Sequence, residues 1–391
     1  MYNTPKRTEF LPFNKYSFDE KEKQAVLNVL ESDWITTGPK TKEFEKLFAE
    51  YIGCKHAIAL NSCTAGLHIS LIAYDIKEGD EVIVPDITFT ATANVVVHTG
   101  AIPIIADIDP KTLNISVEDI KKKISPRTKA IIVVHMAGQP CDMDAINQLA
   151  QEHNLIVIED AAHATESWYK NKKIGNISEV TAFSFYATKN LSTAEGGMLT
   201  TNDDALAEKL RILSLHGLSK DAWKRYSNEG YKHYDVVLPG FKYNMTDIQA
   251  ALGLEQLKKL EQFGKLRNKY KELYDSLLQD IPEIELVEEI DNIVHARHLY
   301  IIKLKIDKLK ISRDQLMNMM MQQNIGVSVH FIALHKHSYY KDRFDFKNED
   351  FPQADKISDS LLTLPLYPKL TEEDITYVCT KLKEIIDSVK H

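Results

Sequence analysis

Three stretches of this sequence could do chemistry together. "LIVIED" ends on two acids, Glu159 and Asp160; "SFYATKNLSTAEGG", Ser184 to Gly197, carries Lys189; and "NSCTAG" is a small polar loop that opens a helical pattern. A carboxylate ending a buried strand is costly unless a cation or hydrogen-bond donors face it, so each acid reads either as half of a structural salt bridge or as part of a site. A lysine with an ordinary pKa near ~10.4 becomes an amine nucleophile only when burial or a nearby cation lowers it; alone, Lys189 reads equally as a surface charge. At "NSCTAG" the free N–H groups and positive end of a helix would suit a phosphate, with Ser62, Thr64 and Ala65 as contacts, although Ser and Thr are also ordinary N-caps.

Anion pocket, strand-end acid and strand-end lysine together suggest pyridoxal 5'-phosphate. The phosphate would sit at the helix N-terminus, the acid would hold the protonated ring nitrogen, and the lysine would form a Schiff base with the aldehyde. "AEGG" reads as the tight turn that lets the chain leave that site.

The elements that must position these residues are legible between about 55 and 200. The short apolar runs "HAIAL", "EVIVP", "IPIIAD", "KAIIVVH", "LIVIED", "TAFSFYA" and "GGMLTT" are interleaved with helical patterns. The first five lack period-2 alternation, as strands buried on both faces of a largely parallel sheet do, and the expected class is α/β. Ligands of such sheets collect beyond the carboxyl ends of the strands. Before this region, Ser17 with Glu20 three residues on is the expected capping box of a first helix, and Gly53 the expected left-handed end of a second. After residue 245, "TDIQAALGLEQLKKLEQFGKLRNKYKELYDSLL" reads as one long amphipathic helix. Strands near "ELVEE" and "HLYIIKLKI" and helices near 312–323 and 371–388 follow, so the expected division is 1–245 and 246–391.

Composition narrows the classes of function. The chain has 391 residues, 44% apolar and 27% charged, enough for a large core. A formal charge of −8 spread along the chain disfavours a nucleic-acid partner, and no apolar run reaches membrane-spanning length, so no membrane partner and a cytoplasmic location are expected. Cys54, Cys63, Cys141 and Cys379 lack metal or disulfide spacing. His330, His335 and His337 cluster in "HFIALHKH" without ligand geometry, and no metal site is expected.

Read as a set, "WITTGP", "NSCTAGLH", "PDITFTATANVV", "GQPCDMDAI", "EDAAHA", "SFYATKNLSTAEGG", "LHG", "GFKYNMTDIQAALGLEQL" and "LPLYP" resemble, in order and over nearly the whole chain, the DegT/DnrJ/EryC1/StrS sugar aminotransferases. Within that family the chain looks most like the subgroup acting on UDP-4-keto sugars. The resemblance implies a fold of the aspartate aminotransferase type (fold type I), with a mostly parallel seven-stranded sheet in a large domain and a smaller C-terminal α+β domain. It implies that Lys189 carries the cofactor, Asp160 pairs with the pyridine nitrogen, His163 lies beside the ring and Phe89 stacks on it, where related members often have tryptophan. Thr64, Ala65 and Ser184 would hold the phosphate, and Asn244 would reach the phosphate of a neighbouring subunit in a homodimer with shared sites. Trp34, Ile35, Thr36 and His330 would meet a nucleotide sugar, with glutamate as amino donor. Members with histidine in place of the lysine dehydrate their substrates, so Lys189 implies amino transfer. The acceptor stays open between a UDP-4-keto pentose, a UDP-4-keto-6-deoxy-N-acetylhexosamine and a 3-keto sugar, and a non-catalytic cofactor-binding regulator is the alternative of another class.

Overall fold

In the computed structural model, which describes residues 5–218 and 235–391, the strand runs of the sequence form one seven-stranded sheet. Its strands are β1 (His56–Leu60), β2 (Glu81–Pro85), β3 (Ile102–Ala106), β4 (Thr128–Val134), β5 (Ile156–Asp160), β8 (Val180–Ser184) and β9 (Gly197–Thr201), in the order β1-β9-β8-β5-β4-β2-β3. Only β9 runs against its neighbours; the other pairings are parallel. Helices α3 (Cys63–Ala73), α4 (Ala91–His98), α5 (Val117–Lys123), α6 (Met143–His153) and α7 (Asp204–Ser214) join or flank the strands. Val82, Ile83, Val84, Ile131, Ile132 and Val133 are almost fully enclosed, which is why these strands do not alternate. Between β5 and β8 a two-residue hairpin, β6 (Trp168–Tyr169) and β7 (Lys172–Lys173), pairs with β11 (Ile293–Val294).

Helix α1 (Glu20–Leu30) corrects the expected cap. Its N-cap is Asp19, two residues after Ser17, with Glu22 completing the capping box, while the Ser17 carbonyl accepts from Gln256 Nε2 at 3.2 Å. Asp19 and Glu22 are also gathered by Lys259, so tertiary ion pairs select the start. Helix α2 (Pro39–Ile52) ends at Gly53 with φ +82°, as expected.

The expected long helix is two. Helix α8 (Asp247–Leu257) stops, and α9 (Leu260–Leu278) starts after Lys258 and Lys259. Every residue at the break is a good helix former, so no local signal marks it. Packing decides: Ala250 and Leu254 of α8 join the core under α2, whereas Tyr270, Tyr274 and Leu278 of α9 join the C-terminal core. The division drawn at 245 thus falls before α8, whose apolar face lies with the large sheet.

The C-terminal core lies around a three-stranded antiparallel sheet, β10 (Ile284–Leu286), β12 (Tyr300–Leu304) and β13 (Leu361–Leu364), in the order β10-β12-β13. Helix α10 (Arg313–Gln322) and the long α13 (Glu372–Val389) cover it, and the short helices α11 (Ser338–Phe344) and α12 (Pro352–Ser358) return the chain towards the large sheet. There the carboxylate of Asp107 accepts from the backbone N–H groups of Gln353 and Ala354 at the start of α12.

Candidate active site

The carboxyl ends of β1, β2, β4, β5 and β8 open onto one cavity of about 490 Å³, closed from above by residues 298–299, 330–331, 364 and 366 of the C-terminal part and by Phe13 and Asn14. Of the residues singled out in the sequence, Ser62, Thr64, Phe89, Asp160, His163, Ser184, Lys189 and His330 all line it. Ser62 and Lys189, 127 positions apart in sequence, line one cavity because parallel strands end on the same edge.

The two acids of β5 part company as side chains on a strand must. Glu159 turns to the far face, where Oε2 lies 2.8 Å from His135 Nε2 and Oε1 accepts from Thr181 Oγ1 and Ser178 N at 3.0 Å. Cys141 N donates to His135 Nδ1 at 3.1 Å, so the ring proton is on Nε2 and Glu159 is held by structural hydrogen bonds. Asp160 turns into the cavity. Its Oδ2 accepts from Thr92 Oγ1 at 2.9 Å and its Oδ1 from Ala162 N at 3.1 Å. Burial pushes its pKa above the usual carboxylate range, and those hydrogen bonds and the Lys189 charge pull against that rise.

Lys189 follows β8 in a turn, its N–H donating to the Tyr186 carbonyl at 2.9 Å. Burial lowers its amine to about 8, against the opposing pull of Asp160. The amine is therefore far more available than a surface lysine's. The exit turn is as tight as expected: Ala194 has φ +67°, and Phe185 N donates to the Gly196 carbonyl at 2.9 Å. A Cβ on Gly197 would stand 2.4 Å from the Ser62 carbonyl carbon, so only glycine lets β9 pass under the loop that starts α3.

At that loop Ser62 caps α3, its Oγ accepting from Ala65 N at 3.1 Å. Ala65 is buried behind the cap and does not border the cavity, whereas Cys63 and Thr64 do. His163 is enclosed between His298, ring centroids 4.4 Å apart, and Phe331 at 5.9 Å. Its Nδ1 is buried without a partner among the described residues, and burial holds the ring well below the ordinary pKa, hence neutral. His330 is likewise pushed down to about 3 by burial and by Lys189; its Nδ1 lies 3.0 Å from Thr363 Oγ1 and its ring stacks on Phe13.

Trp34, Ile35, Thr36 and Asn244 are not brought into this cavity within the single chain. Trp34 Nε1 donates to the Thr37 carbonyl at 2.8 Å, Asp247 N donates to the Thr36 carbonyl at 3.1 Å, and Asn244 Nδ2 donates to Thr37 Oγ1 at 2.6 Å. They form a neighbouring patch, organised by the buried Asp247 carboxylate, which accepts from Gly38 N, Lys40 N, Thr41 N and Thr41 Oγ1. Missing from the sequence reading are Thr92, Asn190 and His298, polar side chains whose role comes only from what they touch. No cluster with metal-ligand geometry occurs among the described residues, and no described helix is long and apolar enough to cross a membrane.

The donor set fits a phosphorylated pyridine aldehyde. A capped helix N-terminus opens to the cavity, a buried carboxylate awaits a cation, a depressed amine stands beside it, and the orphaned His163 Nδ1 awaits a partner.

Comparison with known proteins agrees with the geometry. Residues 17–383 match the model of the DegT/DnrJ/EryC1/StrS aminotransferase family. The chain is 48% identical over 382 residues to the spore coat polysaccharide biosynthesis protein SpsC of Bacillus subtilis, covering 97% of this chain and 98% of that one. Among solved structures it is similar to a putative sugar aminotransferase, Spr1654, of Streptococcus pneumoniae in its PMP form, with TM-score 0.91 and 33% identity over 97% of this chain and 99% of that one. It is also similar to PseC of Helicobacter pylori, an aminotransferase of pseudaminic acid biosynthesis, with TM-score 0.90 and 29% identity over 97% and 100% of the two chains.

Proposed function

We propose, from the premise that the chain belongs to the DegT/DnrJ/EryC1/StrS aminotransferase family and is a pyridoxal-phosphate-dependent enzyme, that it moves an amino group from glutamate to the 4-keto carbon of a nucleotide sugar, with UDP as the nucleotide. The product is an amino sugar for cell-surface glycan or lipid modification, made in the cytoplasm. The observation that carries the reading is the single cavity in which Lys189, Asp160 and the N-terminus of α3 converge. Relatives named for spore coat polysaccharide and pseudaminic acid biosynthesis support an amino-sugar product.

When bound, pyridoxal phosphate supplies a ring that accommodates the electrons released as a C–H bond beside the transferred nitrogen breaks. The chain supplies the rest. Asp160 holds a proton at the ring nitrogen, oriented by Thr92 and Ala162. Lys189 Nζ, uncharged in a useful fraction of molecules near pH 8, takes the proton from the donor carbon and returns one to the acceptor carbon. Thr64 and Ser184 would bind the phosphate with the N–H groups that begin α3, those of Cys63 and Thr64, since the Ala65 N–H is taken by Ser62 Oγ, and Phe89 would cover the ring face. His163, neutral, faces the ring without adding a second cation. Asn244, with Trp34, Ile35 and Thr36, serves a site shared with a second copy in a homodimer, where the sugar nucleotide also meets His330.

Purified protein assayed with glutamate and a panel of UDP- and dTDP-linked keto sugars tests the reading through 2-oxoglutarate release. UDP-4-keto sugars should give the highest turnover, and Lys189→Ala should abolish it. Turnover confined to 3-keto or dTDP-linked sugars would refute the acceptor; none with any sugar would refute the function.

A further inference from the structure

We propose that His298 offers an unprotonated ring nitrogen to the cavity and accepts a hydrogen bond there from a hydroxyl of the sugar substrate. The inference rests on the reading of a sugar acceptor and adds a residue that reads it.

The contacts begin next to Lys189. Asn190 is buried, and its Nδ2 lies 3.1 and 3.0 Å from the two carboxylate oxygens of Glu166 and 2.8 Å from the Ala296 carbonyl oxygen. Such neighbours need donors, so the amide nitrogen must face them; the flipped amide would set Oδ1 against three oxygens. Asn190 Oδ1 is thereby turned to His298 Nδ1 at 3.0 Å, and because an amide oxygen only accepts, Nδ1 carries the proton. In a neutral imidazole the lone pair is then on Nε2.

The ring is neutral. Burial first, then the neighbouring His163, Lys189, Arg267 and His330, hold its pKa well below the ordinary value. It borders the cavity and packs on His163 at 4.4 Å, with the planes 34° apart. Arg267, fully buried, secures the far side by donating from one guanidinium nitrogen to the Leu366 carbonyl at 2.9 Å and to the His298 carbonyl at 3.5 Å. Glu166, Asn190 and Arg267 are thus positioning residues, and His298 is the group they aim.

A neutral lone pair attracts a hydroxyl and repels a carboxylate. Glutamate brings two carboxylates and no hydroxyl, whereas a keto sugar brings several hydroxyls. The contact therefore discriminates in the sugar half of the reaction.

Imidazole 15N NMR on the holoenzyme reads the tautomer directly, with the His298 signals identified by their loss in His298→Gln. Nδ1 should appear protonated and Nε2 unprotonated, and Nε2 should shift when the UDP-linked keto sugar of highest turnover is added. A proton on Nε2, or an Nε2 signal indifferent to the sugar, overturns the proposal. In kinetics, His298→Phe keeps a ring against His163 but has no lone pair, and it should reduce kcat/KM for the sugar half-reaction roughly tenfold more than for the glutamate half-reaction, the effect of about one hydrogen bond. His298→Gln, which restores an acceptor oxygen, should recover most of that difference. Equal losses in both halves would make His298 a packing residue only. Absence of turnover with every keto sugar would instead defeat the proposed function, and the tautomer measured without sugar would still decide whether Asn190 sets the ring.

Discussion

Thr92 Oγ1 donates to Asp160 Oδ2 at 2.9 Å, so the acid that ends β5 is oriented from helix α4 as well as by Ala162 N just beyond its own strand. The same hydroxyl lies 2.8 Å from Thr88 Oγ1; with its proton spent on Asp160, it accepts from Thr88. Thr92→Val keeps the shape and removes the donor. Because hydrogen bonds to charged groups contribute about 1.5–3 kcal/mol, kcat should fall by about tenfold or more, while stability drops by only about 1–2 kcal/mol for the unpaired Thr88. An unchanged kcat would mean that Asp160 needs no brace.

Asp160→Asn replaces a carboxylate by a neutral amide of the same size. The loss of one preorganised electrostatic partner should lower kcat by on the order of 10² or more with the cofactor still bound, measured by steady-state turnover and cofactor absorbance. Wild-type turnover would remove the ring-nitrogen role.

The pH at which apoprotein takes up cofactor follows from Lys189. Burial lowers its pKa to about 8, and only the uncharged amine attacks an aldehyde. The rate of cofactor uptake should therefore rise with pH and level off above about 8, as stopped-flow absorbance reads it. A rise continuing towards about 10.5, where an exposed lysine titrates, would place the amine in solvent.

His335 gives a stability signature. Burial opposes its protonation, but the Asp86 carboxylate at 2.5 Å and Asp355 at 3.4 Å outweigh that and raise its pKa above the ordinary value. A raised folded-state pKa stabilises fully below the unfolded value near ~6.5 and loses that contribution as pH climbs through the folded value. His335→Gln should cost roughly 3 kcal/mol at about pH 6 and less at about pH 9, by denaturant titration. A cost that grows with pH would reverse the charge assignment.

What the sequence made legible was whatever is written locally. Seven short apolar runs became seven strands, the first five rich in Val and Ile and without alternation because they are buried on both faces, and Gly53 ended α2 because only its backbone turns left there without cost. Lys189 and Asp160 were legible as candidates at strand ends, and His163 only through the family resemblance. The start of α1 and the break between α8 and α9 were not, since Lys259 ties Asp19 and Glu22 across more than 230 residues. Strand β13, four residues of "LLTL", is too short to show a period. Thr92, Asn190 and His298 are ordinary polar residues until the fold sets them beside Asp160, Glu166 and His163.

Lys189 is the amine proposed to anchor the cofactor, and the protein contains its own control. Lys173 is also lowered to about 8 by burial, but its ammonium sits 3.1 Å over the Tyr51 ring and does not line the cavity. A depressed pKa alone would make the two lysines equivalent; the cavity makes them different. Borohydride reduction of the protein with bound pyridoxal phosphate, followed by peptide mass mapping, should put the cofactor's mass on the peptide carrying Lys189 and leave Lys173 unmodified. Label on Lys173, or on no lysine, would contradict the account.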